Sequence, residues 1–133
     1  MTTESEPARP SKAIWWIGVI LSAMPVPLLI FSAVMKFMKT PEVVEGFTHL
    51  GWPDSLAFPL GVTELVCTLL YAIPQTAVLG AVLLTGYIGG AIATHVRLGE
   101  PFHIQAGLGV VLWLGLFLRD PRLRKLLPWR SGI

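Results

Sequence analysis

Four apolar stretches organise this chain, each long enough or nearly long enough to cross a bilayer as a helix, with short polar segments between them. The first runs from Ile14 to Val34. Pro25 and Pro27 interrupt its middle, and each removes a backbone donor, so this pattern predicts a kinked or locally unwound helix whose freed carbonyls are covered by neighbours. The next segment, MKFMKTPEVVEGFTHLGWPD, is too polar to span. Thr40 before Pro41 reads as an N-cap with a first-turn proline, Val43, Val44, Phe47 and Leu50 share one helical face, and Gly51 with Pro53 ends the run. That predicts an amphipathic helix lying along the interface. Ser55 to Ile73 is the second span, and the Pro74-Gln75 turn is short enough to force an antiparallel hairpin with the third, Thr76 to Val96. After RLGEPFH, Ile104 to Leu118 supplies only about fifteen apolar residues, so the fourth span must borrow Phe102, His103 and a turn around Arg119. The predicted fold is all-α: a four-helix transmembrane bundle, up-down, with the amphipathic helix between the first and second spans. Residues 1–13 are expected to form a disordered cytoplasmic tail, 14–119 the transmembrane domain and 120–133 a basic cytoplasmic tail.

Composition agrees with that pattern. Hydrophobic residues make up 53% of the chain, charged ones 14%, and the mean hydropathy is +0.67, far from an ordinary soluble domain. The net charge of +2 does not point to nucleic acid, because five of the ten basic residues, Arg119, Arg122, Arg124, Lys125 and Arg130, cluster just beyond the last apolar run, where a lipid headgroup layer would lie. Those five with Arg9 and Lys12 face Lys36, Lys39 and Arg97 on the other side, a bias that places both termini in the cytoplasm. Trp15, Trp16 and Trp129 at one boundary and Trp52 at the other fit interfacial aromatic belts. The first apolar run is too long for a signal peptide and has no small-residue exit, so it reads as a retained helix. Cys67, the only cysteine, excludes an internal disulfide or a CxxC pair and with them thiol–disulfide chemistry.

Polar residues inside the spans are the candidates for function. Gly86 and Gly90 form a GxxxG pair, the signature of close helix packing. Glu64 sits at the middle of the second span, where a bare charge is costly; an intramembrane acid there must be neutral, have a cationic partner, or face a wet cavity. Helical spacing puts it on one stripe with Gly61, Cys67, Thr68 and Tyr71, and Thr85 and Tyr87 of the third span fall at a similar depth as hydrogen-bond partners. The expectation is a protonated Glu64 facing the interior, either fixing helix register or serving a ligand or proton. Lys36 closes the first span, where it can snorkel to phosphates or attract an anionic group. His95, with His49 and His103, falls on the outer side. No two histidines are spaced i, i+4, so no metal site is expected. The candidate ligand-binding residues are Glu64, Tyr87, Thr85, Lys36, Thr68 and His95, and no catalytic residue is assigned.

GFTHLGWP, then LGVTELVCTLLYAIPQTAVLGAVLLTGYIGGAIATHVRLGEP, then LWLGLFLRDPRLRKLLP occur in an order and spacing that resembles the DoxX-like family over roughly Ser32 to Pro128. That resemblance implies a small four-helix integral membrane protein, in a family named for a subunit of a thiosulfate:quinone oxidoreductase. Glu64 matches the family's intramembrane glutamate and Lys36 the lysine closing its first helix, while Ala33 stands where many relatives have the glycine of an S-G-x-x-K pattern. Two functional classes follow for a protein of the bacterial inner membrane. In one, the bundle holds a lipophilic small molecule, with quinone as the cofactor class it would suit, and serves membrane redox as a subunit. In the other, a non-enzymatic accessory or assembly protein stabilises a membrane protein partner, and Glu64 only secures the bundle.

Overall fold

The computed structural model describes residues 11–128, and all regular structure among them is helical, with no strand. The helices are α1 (Lys12–Ala23), α2 (Pro25–Met38), α3 (Pro41–Leu50), α4 (Ala57–Ala72), α5 (Ala77–Arg97), α6 (His103–Arg119) and α7 (Pro121–Arg124), and short 3-10 turns at Asp54–Leu56 and Pro74–Thr76 lead into α4 and α5. The expected N-terminal tail lies mostly outside the described residues, as does Trp129. Ser11 caps α1 by accepting the Ile14 N–H at 3.3 Å, so the helix starts two residues ahead of the apolar run.

Among the described residues three stretches are long and apolar enough to cross a membrane: Lys12–Met38, Asp54–Ala72 and Pro74–Arg97. The fourth apolar helix, α6, has 17 residues and is shorter than that, in keeping with its short run in the sequence. The proline pair perturbs the first stretch less than its chemistry suggests. Pro25 occupies the first turn of α2, where a missing N–H costs nothing, and the break is confined to Met24, which keeps right-handed α geometry and donates its N–H to Ile20 at 3.0 Å.

Among the described residues the most extensive helix pairings are α1 on α6, α2 on α4, α4 on α5, and α5 on α6. Glycines set three of them. At Gly18 and Gly115, α1 and α6 approach so closely that a Cβ on Gly115 would stand 2.5 Å from Ser22 Oγ and 2.7 Å from Ser22 N. A Cβ on Gly61 would meet Lys36 Cβ at 3.1 Å and the Ala33 carbonyl at 3.2 Å, so the close approach of α2 is provided from the α4 side, with alanine tolerated at 33. Gly80 lies against the backbone of Leu70 and Tyr71. The GxxxG pair behaves otherwise. A methyl added to either Gly86 or Gly90 would find no neighbouring atom within 4 Å, so the two glycines leave space open instead of closing a helix contact within this chain.

The core is narrow, built around Leu29, Tyr71, Leu84, Leu112 and Leu116, whereas large apolar side chains such as Phe31, Phe58 and Val110 point outward, each more than 60% exposed. Helices apolar on both faces are what hydrocarbon solvation selects. α3 differs: Phe47 is buried, Val43, Val44 and Leu50 are half-buried, and Glu42, Glu45 and His49 are exposed. Thr40 caps it through the Val43 N–H at 3.4 Å and Gly51 closes it with φ 78°. Phe47→Asp is therefore expected to lower the yield of folded protein in membranes strongly, and Thr48→Asp, one residue on and exposed, to leave it near wild type. After α6, Asp120 caps α7 by accepting the Arg122 N–H at 3.0 Å. Burial alone would raise its carboxyl, but hydrogen bonds from the Arg122 side chain and backbone, with the Arg122 and Arg119 charges, outweigh that and hold it below its ordinary value.

Candidate functional site

Three helices bring one polar cluster together. Glu64, in the middle of α4, is 1% exposed, and its Oε2 accepts two side-chain donors: Lys36 Nζ from α2 at 2.7 Å and Tyr87 OH from α5 at 2.9 Å. Lys36 Nζ also donates to Ser32 Oγ at 2.7 Å, one turn back along α2. The geometry depends on Gly61. Because it lets α2 close on α4 beside Lys36 Cβ, the four-carbon stem of the lysine has only about one helical turn of α4, roughly 4.5 Å of rise, to cover before reaching the carboxylate three residues on. The position of Lys36 in the last turn of α2 also sets its cation at the negative end of that helix.

The arrangement changes the expectation for Glu64. Of the three ways the sequence leaves open for an acid at this depth, the structure supplies the cationic partner, because Lys36 turns inward to Glu64 instead of outward to phosphates. A helix-end lysine reads as a snorkelling residue unless the facing glycine is recognised as its passage inward. Tyr87 bonds Glu64 as anticipated. Thr85 does not: its hydroxyl donates to the Ala81 carbonyl at 2.7 Å and accepts from Trp113 Nε1 at 2.7 Å, which ties it to α6. Thr68 is fully buried but spends its hydroxyl on the Glu64 backbone carbonyl at 2.7 Å, inside α4. His95 is separate from the cluster. Its Nδ1–H donates to the Ala91 carbonyl at 2.8 Å, leaving Nε2 as the acceptor, 3.5 Å from Gln105 Nε2.

What joins Lys36, Tyr87 and His95 is a cavity of about 750 Å³ between α2, α3 and α5, whose wall includes all three. The rest of the wall is mostly apolar: Leu28, Phe31 and Met35 from α2, Val43, Phe47 and Leu50 from α3, then Trp52, Leu56 and Leu60. Gly86 and Gly90 border it, which accounts for the open space beside them. α3 forms one wall of the cavity and is fastened at its edges. His49 pairs with Glu100, Arg97 donates to the Leu50 carbonyl and stacks its guanidinium 5.1 Å from the centre of the Trp52 ring, and Lys39 lies 3.7 Å from Asp54. Chemically, the arrangement sets a mostly apolar chamber beside an ammonium and a phenol held by a buried carboxylate.

A second polar cluster joins residues that the sequence alone does not bring together. Arg119 Nε donates to the buried Ser22 Oγ at 3.1 Å and its guanidinium lies 5.9 Å from the centre of the Tyr71 ring, while Tyr71 OH donates to the Leu112 carbonyl at 2.7 Å. The Gly18-x-x-x-Ser22 spacing is the signal for it, since small residues one turn apart mark close helix contact. Its bonds lock α1 and α4 to α6.

A sequence model described as the DoxX-like family matches residues 20–118. No curated protein and no solved structure matches the chain.

Proposed function

The chain belongs to the DoxX-like family of membrane proteins, and from that premise we propose that it is a four-helix up-down bundle of the bacterial inner membrane whose function is to hold a lipophilic small molecule with a polar head. The observation that carries this reading is the Lys36–Glu64–Tyr87 cluster beside a mostly apolar cavity of about 750 Å³ that Lys36 and Tyr87 line. Buried ionisable groups inside a membrane are expensive, and a cluster satisfied by register alone would need no chamber beside it. The head group lies against Lys36 and Tyr87 and the tail runs along Phe31, Phe47 and Leu60. A quinone suits such a site, as part of a membrane redox subunit. Seven basic residues on the side of the termini against Lys36, Lys39 and Arg97 on the other support an orientation with both termini in the cytoplasm and α3 in the outer headgroup layer.

Mass spectrometry of solvent extracts from the purified protein tests this. A lipophile retained near one per chain in wild type, and lost in Lys36→Ala and Tyr87→Phe, is expected; an empty wild-type protein that also fails to take up an added short-chain quinone would end the reading. The accessory reading, in which the protein stabilises a membrane partner, draws support from another feature: an open apolar groove of about 630 Å³ between α5 and α6, bordered by Gly89, Gly109 and Trp113, which a partner helix could fill.

A further inference from the structure

Resting on the reading of the cavity as an amphiphile site, we infer that its ligand carries an uncharged head group that both accepts and donates hydrogen bonds. The argument starts from charge. Lys36 and Glu64 sum to zero whichever of them holds the shared proton, so the polar end of the cavity is already balanced before a ligand arrives. An anionic head would leave this low-dielectric site with a net negative charge and a cationic head with a net positive one; either must lose its hydration without a free counter-ion to replace it. At the α3 end Lys39 lies 3.7 Å from Asp54 and Glu100 pairs with His49, while the Arg97 guanidinium, outside the cavity wall, is held by the Leu50 carbonyl and the Trp52 ring. His95 lines the wall with its Nδ1–H committed to Ala91.

Hydrogen-bond capacity sets the rest. An ammonium has three N–H donors, and Ser32 and Glu64 take two from Lys36, leaving one for the chamber that it lines. Tyr87 has spent its only O–H on Glu64, so its oxygen meets the chamber as an acceptor. Ser32, on the same wall, accepts from Lys36 and keeps its own O–H as a second donor, and donors beside one acceptor are complemented by a hydroxyl, or by a carbonyl next to a hydroxyl. Fatty acids, anionic phospholipids and quaternary amines fail on charge; alcohols, acylglycerols and hydroxylated rings pass, and a quinone, which only accepts, meets both groups in its reduced quinol form.

The experiment uses three amphiphiles with one tail and different heads, ω-bromoundecanol, ω-bromoundecanoate and ω-bromoundecyltrimethylammonium, titrated against the full-length protein in lipid nanodiscs. Bromine quenches tryptophan on contact, and Trp52 lines the cavity; subtracting the signal of Trp52→Phe isolates it from the other tryptophans. In wild type the alcohol should saturate the Trp52 signal at about a tenfold lower concentration than either charged compound, a factor set by a modest share of the charge-burial penalty. Glu64→Gln, which leaves the Lys36 charge unbalanced, should make the carboxylate the strongest of the three, and Lys36→Gln/Glu64→Gln should return the preference to the alcohol. Should Glu64→Gln fail to fold, the wild-type order decides alone. Equal potency of the three heads, or a charged head winning in wild type, overturns the inference and leaves the amphiphile site standing. Absence of saturable Trp52 quenching by any of them removes the site itself.

Discussion

Gly80→Ala is expected to destabilise the protein by about 3 kcal/mol, and Gly86→Ala, six residues on in the same helix, to change it by less than about 1 kcal/mol, as read from unfolding midpoints in detergent. A methyl at 80 would stand 2.5 Å from Tyr71 Cα and 2.8 Å from the Leu70 carbonyl carbon, and both are backbone atoms that no rotamer change can move. Relief requires separating α4 from α5, which would disturb the placement of Tyr87 against Glu64 and open the pocket holding Tyr71 and Leu84. At 86 the same methyl meets nothing within 4 Å and alanine gains helix propensity over glycine. Equal tolerance at both positions would mean that the α4–α5 contact is looser than the structure describes.

This pair of glycines also shows where the sequence is legible and where it is not. The helices can be read because apolar length and the Thr40-Pro41 cap are local signals: the cap starts α3 where it is expected, and the apolar runs become helices, although the proline pair leaves only a break at Met24 and α6 stays shorter than the three long stretches. Helix contacts are not local. Gly86 and Gly90 carry the spacing of a packing motif, yet they border the cavity, while the close approaches fall at Gly18, Gly61, Gly80 and Gly115, where no paired glycine announces them. The site divides along the same line. Glu64 stands out because a carboxylate in an apolar run needs an explanation, and Tyr87 follows from depth. The Lys36 partnership stays hidden because it depends on which residue of α4 faces α2, and depth alone misplaces Thr85 because rotation about the α5 axis decides whether a hydroxyl meets α4 or α6.

The pairing of Lys36 with Glu64 makes the largest site-directed effect a matter of coupling. Glu64→Leu should cost about 3 kcal/mol, the lower end for breaking a buried ion pair, because the Lys36 side chain is 17% exposed and can partly recover solvation at the cavity. The loss comes less from the missing attraction than from the ammonium left without its counter-charge. It follows that Lys36→Met/Glu64→Leu should restore most of that loss and come within about 1 kcal/mol of wild type, since two apolar side chains of similar volume replace a pair whose desolvation nearly cancels its attraction. Glu64→Gln falls between, as its amide can still accept from Lys36 while leaving the charge uncompensated. A double variant whose penalty equals the sum of the two single ones would show that the residues do not act as a pair, and the charge balance on which ligand selection rests would go with it. If stability returns in the double variant but ligand retention does not, the ion pair is kept for the molecule it holds, because the bundle folds as well without it.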